Sequence, residues 1–134
     1  MQDNKTADVL EKTLLGLGRR FEATSRNMAN MNTPDYERHE VSFEDQLRDV
    51  IEGPSKLPLR TTDPAHISNV TRSVSEVTPK QRAVSYEPYR GDANNVDPET
   101  ETARLTQTRM MYDIIANRMA GKFKGMRRIL GGNK

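Results

Sequence analysis

A chain of 134 residues with 34% hydrophobic and 5% aromatic residues, 30% charged residues and a mean hydropathy of −0.85 makes one domain at most, and a polar one. The net charge of +2 is weak ground for nucleic-acid binding despite a pI near 9.0, and the absence of Cys excludes disulfides, thiolate catalysis and most structural zinc sites. So polar a chain buries too little apolar surface by itself to offset its ordering entropy, so it is either partly disordered alone or completed by neighbouring subunits.

Met1-Gln2-Asp3-Asn4-Lys5 is polar, unlike a cleaved secretory signal, and no apolar run is long enough to span a membrane. The first strong pattern is the stripe Ala7, Leu10, Leu14, Leu17, Phe21, Thr24, Met28 and Met31, which advances in steps of three and four. That spacing puts every member on one seam of a helix. It predicts a helix from about Thr6 to about Met31, roughly 40 Å long. Gly16 and Gly18 interrupt it, either simply tolerated at roughly 1 kcal/mol each or placed so that another element packs close. This sharp periodicity favours completion of the core by neighbours over disorder. The helix then stops within Asn27-Met28-Ala29-Asn30-Met31-Asn32-Thr33-Pro34-Asp35-Tyr36. Pro34 cannot continue the ladder and drives Thr33 toward an extended backbone. Asn30 and Asn32 suit a terminal turn, where an amide either satisfies free carbonyls or adopts a left-handed cap.

A short second helix is predicted from Ser42 to Glu52, with Ser42 and Asp45 forming a capping box and Phe43, Leu47, Val50 and Ile51 sharing a face before Gly53-Pro54. From Gly53 to Asp97 five prolines punctuate the chain and no helical period survives. Val74 to Val77 and Val84-Ser85-Tyr86 read as short strands or a loose hairpin; the competing reading is an extended linker, disordered until a partner orders it. The last helix opens clearly: Asp97 is an N-cap, Pro98 takes the first helical position, and Glu99 and Glu101 suit the positive end of the dipole. Its seam is Leu105, Thr108, Tyr112, Ile115, Met119, Phe123, Met126 and Leu130, broadened by Met111, Ile114 and Ile129, and Gly131-Gly132 ends it. Arg118, Lys122, Lys124, Arg127 and Arg128 read as a solvated face that complements the negative helix end; a charged contact with an acidic neighbouring subunit is the alternative.

The decapeptide ending at Tyr36 resembles the N-terminal signature of the flagellar rod and hook family of axial proteins, Asn-hydrophobic-Ala-Asn-x-Asn-Thr-Pro-Gly-Tyr. The matching residues are Asn27, Ala29, Asn30, Asn32, Thr33, Pro34 and Tyr36, and the departure is Asp35 in place of Gly. Gly there implies a positive φ, which Asp tolerates better than most residues. Gly91-Asp92-Ala93-Asn94-Asn95-Val96-Asp97 is similar to the Asp-Gly-Asn-Asn-Val-Asp element of the short, proximal-rod members of the family, departing at Gly91-Asp92-Ala93. From it a structural junction is carried over to Asn94, Asn95, Val96 and Asp97. The length, Tyr112 and the ending Lys122 to Asn133 agree with those members, and Thr61 to Ile67 matches loosely. The resembling segments cover roughly residues 8 to 52 and 91 to 133.

The resemblance implies a mainly α fold with long N- and C-terminal helices packing as an antiparallel coiled-coil-like pair. The expected division is an axial helix and turn (1–36), a short helix (37–53), an extended or small β Pro-rich middle (54–97) and a second axial helix (98–134). Leu10, Leu14, Leu17, Phe21, Met28, Leu105, Tyr112, Ile115, Met119, Phe123 and Met126 are the expected helix-packing interface. The function implied is a structural subunit of the basal-body proximal rod, a hollow drive shaft for motility, exported by the flagellar type III route to the periplasmic side without signal cleavage. Implied partners are other rod subunits in a helical assembly, the rod–MS-ring adaptor and the export gate. Alternatives are another rod subunit of the same family, or an unrelated helical adaptor or nucleic-acid binder. No cofactor, metal, small-molecule substrate or catalytic residue is expected. His39 and His66 lack metal-ligand spacing, no phosphate-binding or nucleophile motif occurs, and Glu37, Glu40, Glu44 and Asp45 read as a solvated charge run.

Overall fold

The computed structural model describes residues 2–53, 73–84, 91 and 93–131, with side chains from Lys5 onward. Its elements are α1 (Gln2–Ala29), β1 (His39–Ser42), α2 (Glu44–Glu52), a 3-10 turn (Val74–Glu76), β2 (Lys80–Ala83) and α3 (Pro98–Leu130). The expected features at Pro54, Thr61 to Ile67, His66, Ser85-Tyr86, Asp92 and Gly132-Asn133 lie outside the described residues.

The two long helices pack side by side and antiparallel: Asn27 near the end of α1 bonds Glu101 in the first turn of α3, while Val9 and Leu10 share a recess with Arg118. α1 ends two residues short of the expected Met31. Asn30 N–H reaches both Arg26 O (3.2 Å) and Asn27 O (3.1 Å), and Met31 N–H reaches Met28 O (3.3 Å). These bonds tighten the last turn and leave Met31 outside the helix. Asn30 Nδ2 caps Arg26 O at 2.8 Å, the carbonyl-satisfying role anticipated for it. α3 begins where the local signals put it. Asp97 accepts from Glu99 N–H (3.2 Å) and from the Thr100 hydroxyl, and at the far end Gly131 N–H closes on Arg127 O (2.8 Å).

Between the helices the structure departs from the pattern reading. Ser42 is not an N-cap but the last residue of β1. α2 starts after Phe43 without a side-chain cap, and the Glu44 carboxylate accepts from Phe43 N–H (3.1 Å). A strand at Val74 to Val77 is replaced by the 3-10 turn. In an extended backbone those two valines would face opposite sides; three residues per turn lets both face the core. The strand lies at Lys80–Ala83 instead, antiparallel to β1 with Glu40 opposite Arg82. Val84 N–H lengthens the ladder by bonding Arg38 O (2.8 Å).

The core is accordingly not the α1–α3 seam alone. It gathers Leu17 and Ala23 of α1, Val41 and Phe43 beside β1, Leu47 and Val50 of α2, and Val74 and Val77 of the turn, with Ile115 of α3 against its edge. The described part of the middle region is thus folded rather than a linker, and full burial of Val77 contributes about 1.5–3 kcal/mol. Long polar side chains fasten it: Lys12 Nζ donates to Val77 O (3.0 Å), and the Gln46 amide pairs reciprocally with the Thr78 backbone (2.9 and 3.0 Å). Arg20 spans α1 and β1, donating to Val41 O (2.9 Å) with its guanidinium 5.1 Å from the Phe43 ring centre.

The two glycines of α1 have separate roles. A Cβ on Gly16 would stand 2.5 Å from the buried Phe43 ring, whereas one on Gly18 meets nothing within 4 Å. Gly16→Ala is expected to destabilise by about 1–3 kcal/mol through overpacking. Gly18→Ala is expected to stabilise by up to about 1 kcal/mol through helix propensity. Urea denaturation followed by helical circular dichroism checks both signs, and equal effects at the two sites would remove the packing role of Gly16.

Candidate functional site

The turn after α1 and the junction before α3, some sixty residues apart in sequence, form one polar joint. Asn27, on the last turn of α1, is 1% exposed. Its Nδ2 donates to His39 O (2.8 Å) and Glu101 Oε2 (3.0 Å), while its Oδ1 accepts from His39 N–H (2.9 Å) and the Tyr36 hydroxyl (3.2 Å). All four of its hydrogen-bonding positions are therefore filled within the chain. Asn94, fully buried, donates to Asn30 O (3.0 Å) and Thr33 O (2.7 Å), two carbonyls of the signature turn, and accepts from Val96 N–H (2.8 Å). Asn95 accepts from Arg38 N–H (2.7 Å) and donates to Val84 O (2.6 Å), tying both strands to the junction. Val96 is fully buried.

At the centre lies an ion pair that sequence reasoning missed. Glu101 is 1% exposed and bonds Arg38 Nε at 2.7 Å, with Arg104 at 3.7 Å. Arg38 also reaches Glu40 (3.4 Å), which faces Arg82 and Arg104, each at 3.7 Å. Glu40 is thus a member of a charge network rather than of a solvated run; Glu44 pairs with Arg20 and Asp45 with Arg48. Glu101 looked like a helix-dipole acid because its position in the first turn suits that role equally well.

Burial raises the Tyr36 phenol pKa; Arg26 opposes that and Glu101 adds to it, and the net rise keeps the hydroxyl a donor to Asn27. For Glu44 burial pushes upward, but the bonds from Phe43 N–H and Arg20 outweigh it, and the carboxyl titrates below its ordinary range. The Thr100 hydroxyl and Glu99 N–H lower the Asp97 carboxyl in the same way. The remaining signature residues lie at the surface: Ala29, Asn32, Thr33 and Pro34 are exposed, and the Thr33 hydroxyl donates to Asn30 Oδ1 (3.2 Å).

Both places where the chain lacks a family glycine adopt the left-handed conformation. Asp35 has φ 59°, as its position in the signature implies. Ala93 has φ 61° and, aligned on Asn94 to Asp97, stands at the Gly of the Asp-Gly-Asn-Asn-Val-Asp element.

The expected packing seam divides three ways. Leu10 and Leu17 are buried, and Leu14, Met28, Leu105, Ile115 and Met119 are half-buried. Phe21, Tyr112, Phe123 and Met126 are exposed, by 45%, 43%, 53% and 41%. Thr24 and Thr108, also on the expected stripes, are buried, and Ala23 and Asn27 of α1 and Glu101 of α3 join them on the inner faces. The helices meet on small and polar residues at the joint and turn bulky apolar residues outward. Between them and β1, a polar cleft of about 290 Å³ contains Arg20, Arg38, Glu40, Glu101 and Arg104.

No protein-family model matches the chain. It is 30% identical over 129 residues to the flagellar basal body rod protein FlgB of Borreliella burgdorferi, a match covering 94% of this chain and 96% of that protein. The protein of the same name from Bacillus subtilis is 30% identical over 131 residues, covering 96% and 95% of the two chains. That of Escherichia coli is 25% identical over 118 residues, covering 83% and 82%.

Two outcomes follow from the joint. Glu101→Ala leaves Arg38 buried without its main partner and is expected to cost about 3–5 kcal/mol, whereas Glu101→Leu combined with Arg38→Met recovers part of that loss, the buried Asn27 Nδ2 still lacking one partner. Chemical denaturation of the two variants measures the difference; a single-variant loss under about 1 kcal/mol would place the pair outside the joint's energetics. Ala93→Gly relieves a left-handed alanine and is expected to raise stability by about 1 kcal/mol, read as a higher denaturation midpoint at unchanged slope.

Proposed function

This chain belongs to the FlgB family of flagellar basal body rod proteins, and we propose that it is a structural subunit of the proximal rod, the hollow drive shaft on which flagellum-dependent motility rests. In this role α1 and α3 lie in the wall of the shaft, and copies stack helically against one another and against the other rod subunits. The rod–MS-ring adaptor and the export gate are its neighbours at the base. The chain reaches the periplasmic side through flagellar type III export, without signal cleavage.

The observation that supports this most directly is the number of bulky apolar side chains that the two long helices leave exposed. Leu15, Phe21, Met110, Met111, Tyr112 and Ile114 are each 42–65% exposed. Apolar surface left uncovered on both helices suits burial against neighbouring subunits. The joint supplies the complementary property, because a buried polar network in which Asn27 and Glu101 find their partners holds a single geometry. A subunit built this way carries a fixed angle between two sticky helices into the assembly, and torque transmission needs that rigidity. Among the described residues no helix is long and apolar enough to cross a membrane.

Phe21→Asp and Tyr112→Asp test the role without touching the joint. Both side chains are exposed in the subunit, so its stability is expected to change by no more than about 0.5 kcal/mol. Cells carrying either variant as their sole copy are expected to lose swimming and to lack complete rods in electron micrographs of isolated basal bodies. Normal swimming with intact rods in both would overturn the assignment of these faces to the shaft wall.

A further inference from the structure

An apolar groove of about 490 Å³ opens along the subunit. α1 provides its floor through Leu17, α2 one wall through Leu47 and Ile51, and α3 the other through Met111 and Ile114. Ile51 and Ile114 are 59% and 65% exposed, so the groove is lined with apolar surface that nothing in the described residues covers. α2 makes the adjoining surface acidic, with Glu44, Asp45, Asp49 and Glu52 against the single base Arg48. Intramolecular pairing of Glu44 with Arg20 and of Asp45 with Arg48 lowers that charge without reversing it.

The other end of the same chain has the opposite character. From Gly121 to Leu130, α3 has no acidic residue and carries Lys122, Lys124, Arg127 and Arg128. Phe123, Met126 and Leu130 follow the i, i+3, i+7 spacing by which a helix anchors in a groove. Leu130 and Ile129 are both 83% exposed. α3 has 33 residues against 28 in α1, and with Asn27 held against Glu101 its last turn passes the start of α1. That tip cannot fill its own groove: Leu130 lies about 24 Å from Ile114 along one continuous helix.

We propose that the groove between α2 and α3 receives the last turns of α3 from a second copy of this chain, apolar anchors inward and basic residues against the acidic α2. The proposal rests on the rod-subunit reading and names its homotypic contact. Each copy presents one tip and one groove, so the contact is heterologous and extends an array rather than closing a dimer. It also gives the basic helix end a protein partner rather than a nucleic-acid or lipid one.

The chain has no Cys, so Ile51→Cys and Leu130→Cys introduce the only thiols. Both sites are exposed, and isolated basal bodies containing the double variant are treated with a mild oxidant. The expected product is a ladder of dimers, trimers and higher species, whereas a mixture of the two single variants stops at the dimer. An equal ladder from Arg19→Cys with Leu130→Cys, an intramolecular link, or no ladder overturns the contact. A double variant found in the rods of swimming cells yet giving no ladder leaves the rod assignment standing; absence of the unaltered chain from rods overturns the assignment and the contact together. A second arm does not depend on cysteines. Lys124→Glu, Arg127→Glu and Arg128→Glu together are expected to reduce swimming at least tenfold, and added Asp45→Lys and Glu52→Lys to restore it. No loss, or no restoration, counts against the contact.

Discussion

Asn27 and Glu101 set the constraint on which the rest of the subunit depends. Both are buried, both are polar, and neither can remain so without filling its hydrogen-bonding capacity from within the chain. Asn27 does this by joining α1 to the backbone of β1 and to the carboxylate of α3; Glu101 does it by joining α3 to Arg38, just ahead of β1. Asn suits the position because it offers two donors and two acceptor sites at once. Asp would lose both donors and set a second carboxylate against Glu101. Asn94 completes the arrangement by holding the carbonyls of Asn30 and Thr33 in the turn that follows α1. The entry angles of both helices are thereby fixed by one network, not by two separate turns.

That network lets a polar chain hold its shape with a small apolar core. The core lies to one side of the helix pair and takes in residues from α1, β1, α2 and the 3-10 turn, with Ile115 of α3 against its edge. The helices themselves meet partly on Thr, Ala, Asn and Glu, and many of their larger apolar residues stay exposed. In the proposed rod role, stability within a subunit and adhesion between subunits draw on different residues, so the folded unit does not have to unpack to assemble.

Features set by local chemistry were legible in the sequence. The Asp97-Pro98 start of α3, the Asn30 cap and the left-handed Asp35 depend on neighbours within a few residues, and each appears in the structure where the residue types put it. The antiparallel pairing of the long helices was implied by the family signature and is present. What escaped was non-local. β1 has four residues, and β2, Lys80-Gln81-Arg82-Ala83, has no buried side chain to betray it. Val74 and Val77 looked like a strand because they are β-branched, yet their common burial required a tighter helix. Glu101 read as a helix-dipole acid, since nothing in a list of residues distinguishes a solvated carboxylate from one facing a guanidinium 63 positions away.

The sequence by itself thus determined where α3 begins and ends, that α1 stops at the signature turn, and that the chain carries the marks of an axial assembly protein. Periodicity, capping and backbone sterics act over a turn or two, and a linear reading contains them. Tertiary structure alone decided which side of each stripe faces inward, that the two signatures are one joint, and that part of the Pro-rich middle belongs to the core. Those outcomes turn on which buried polar groups find partners, and the partners come from segments the chain brings together only on folding.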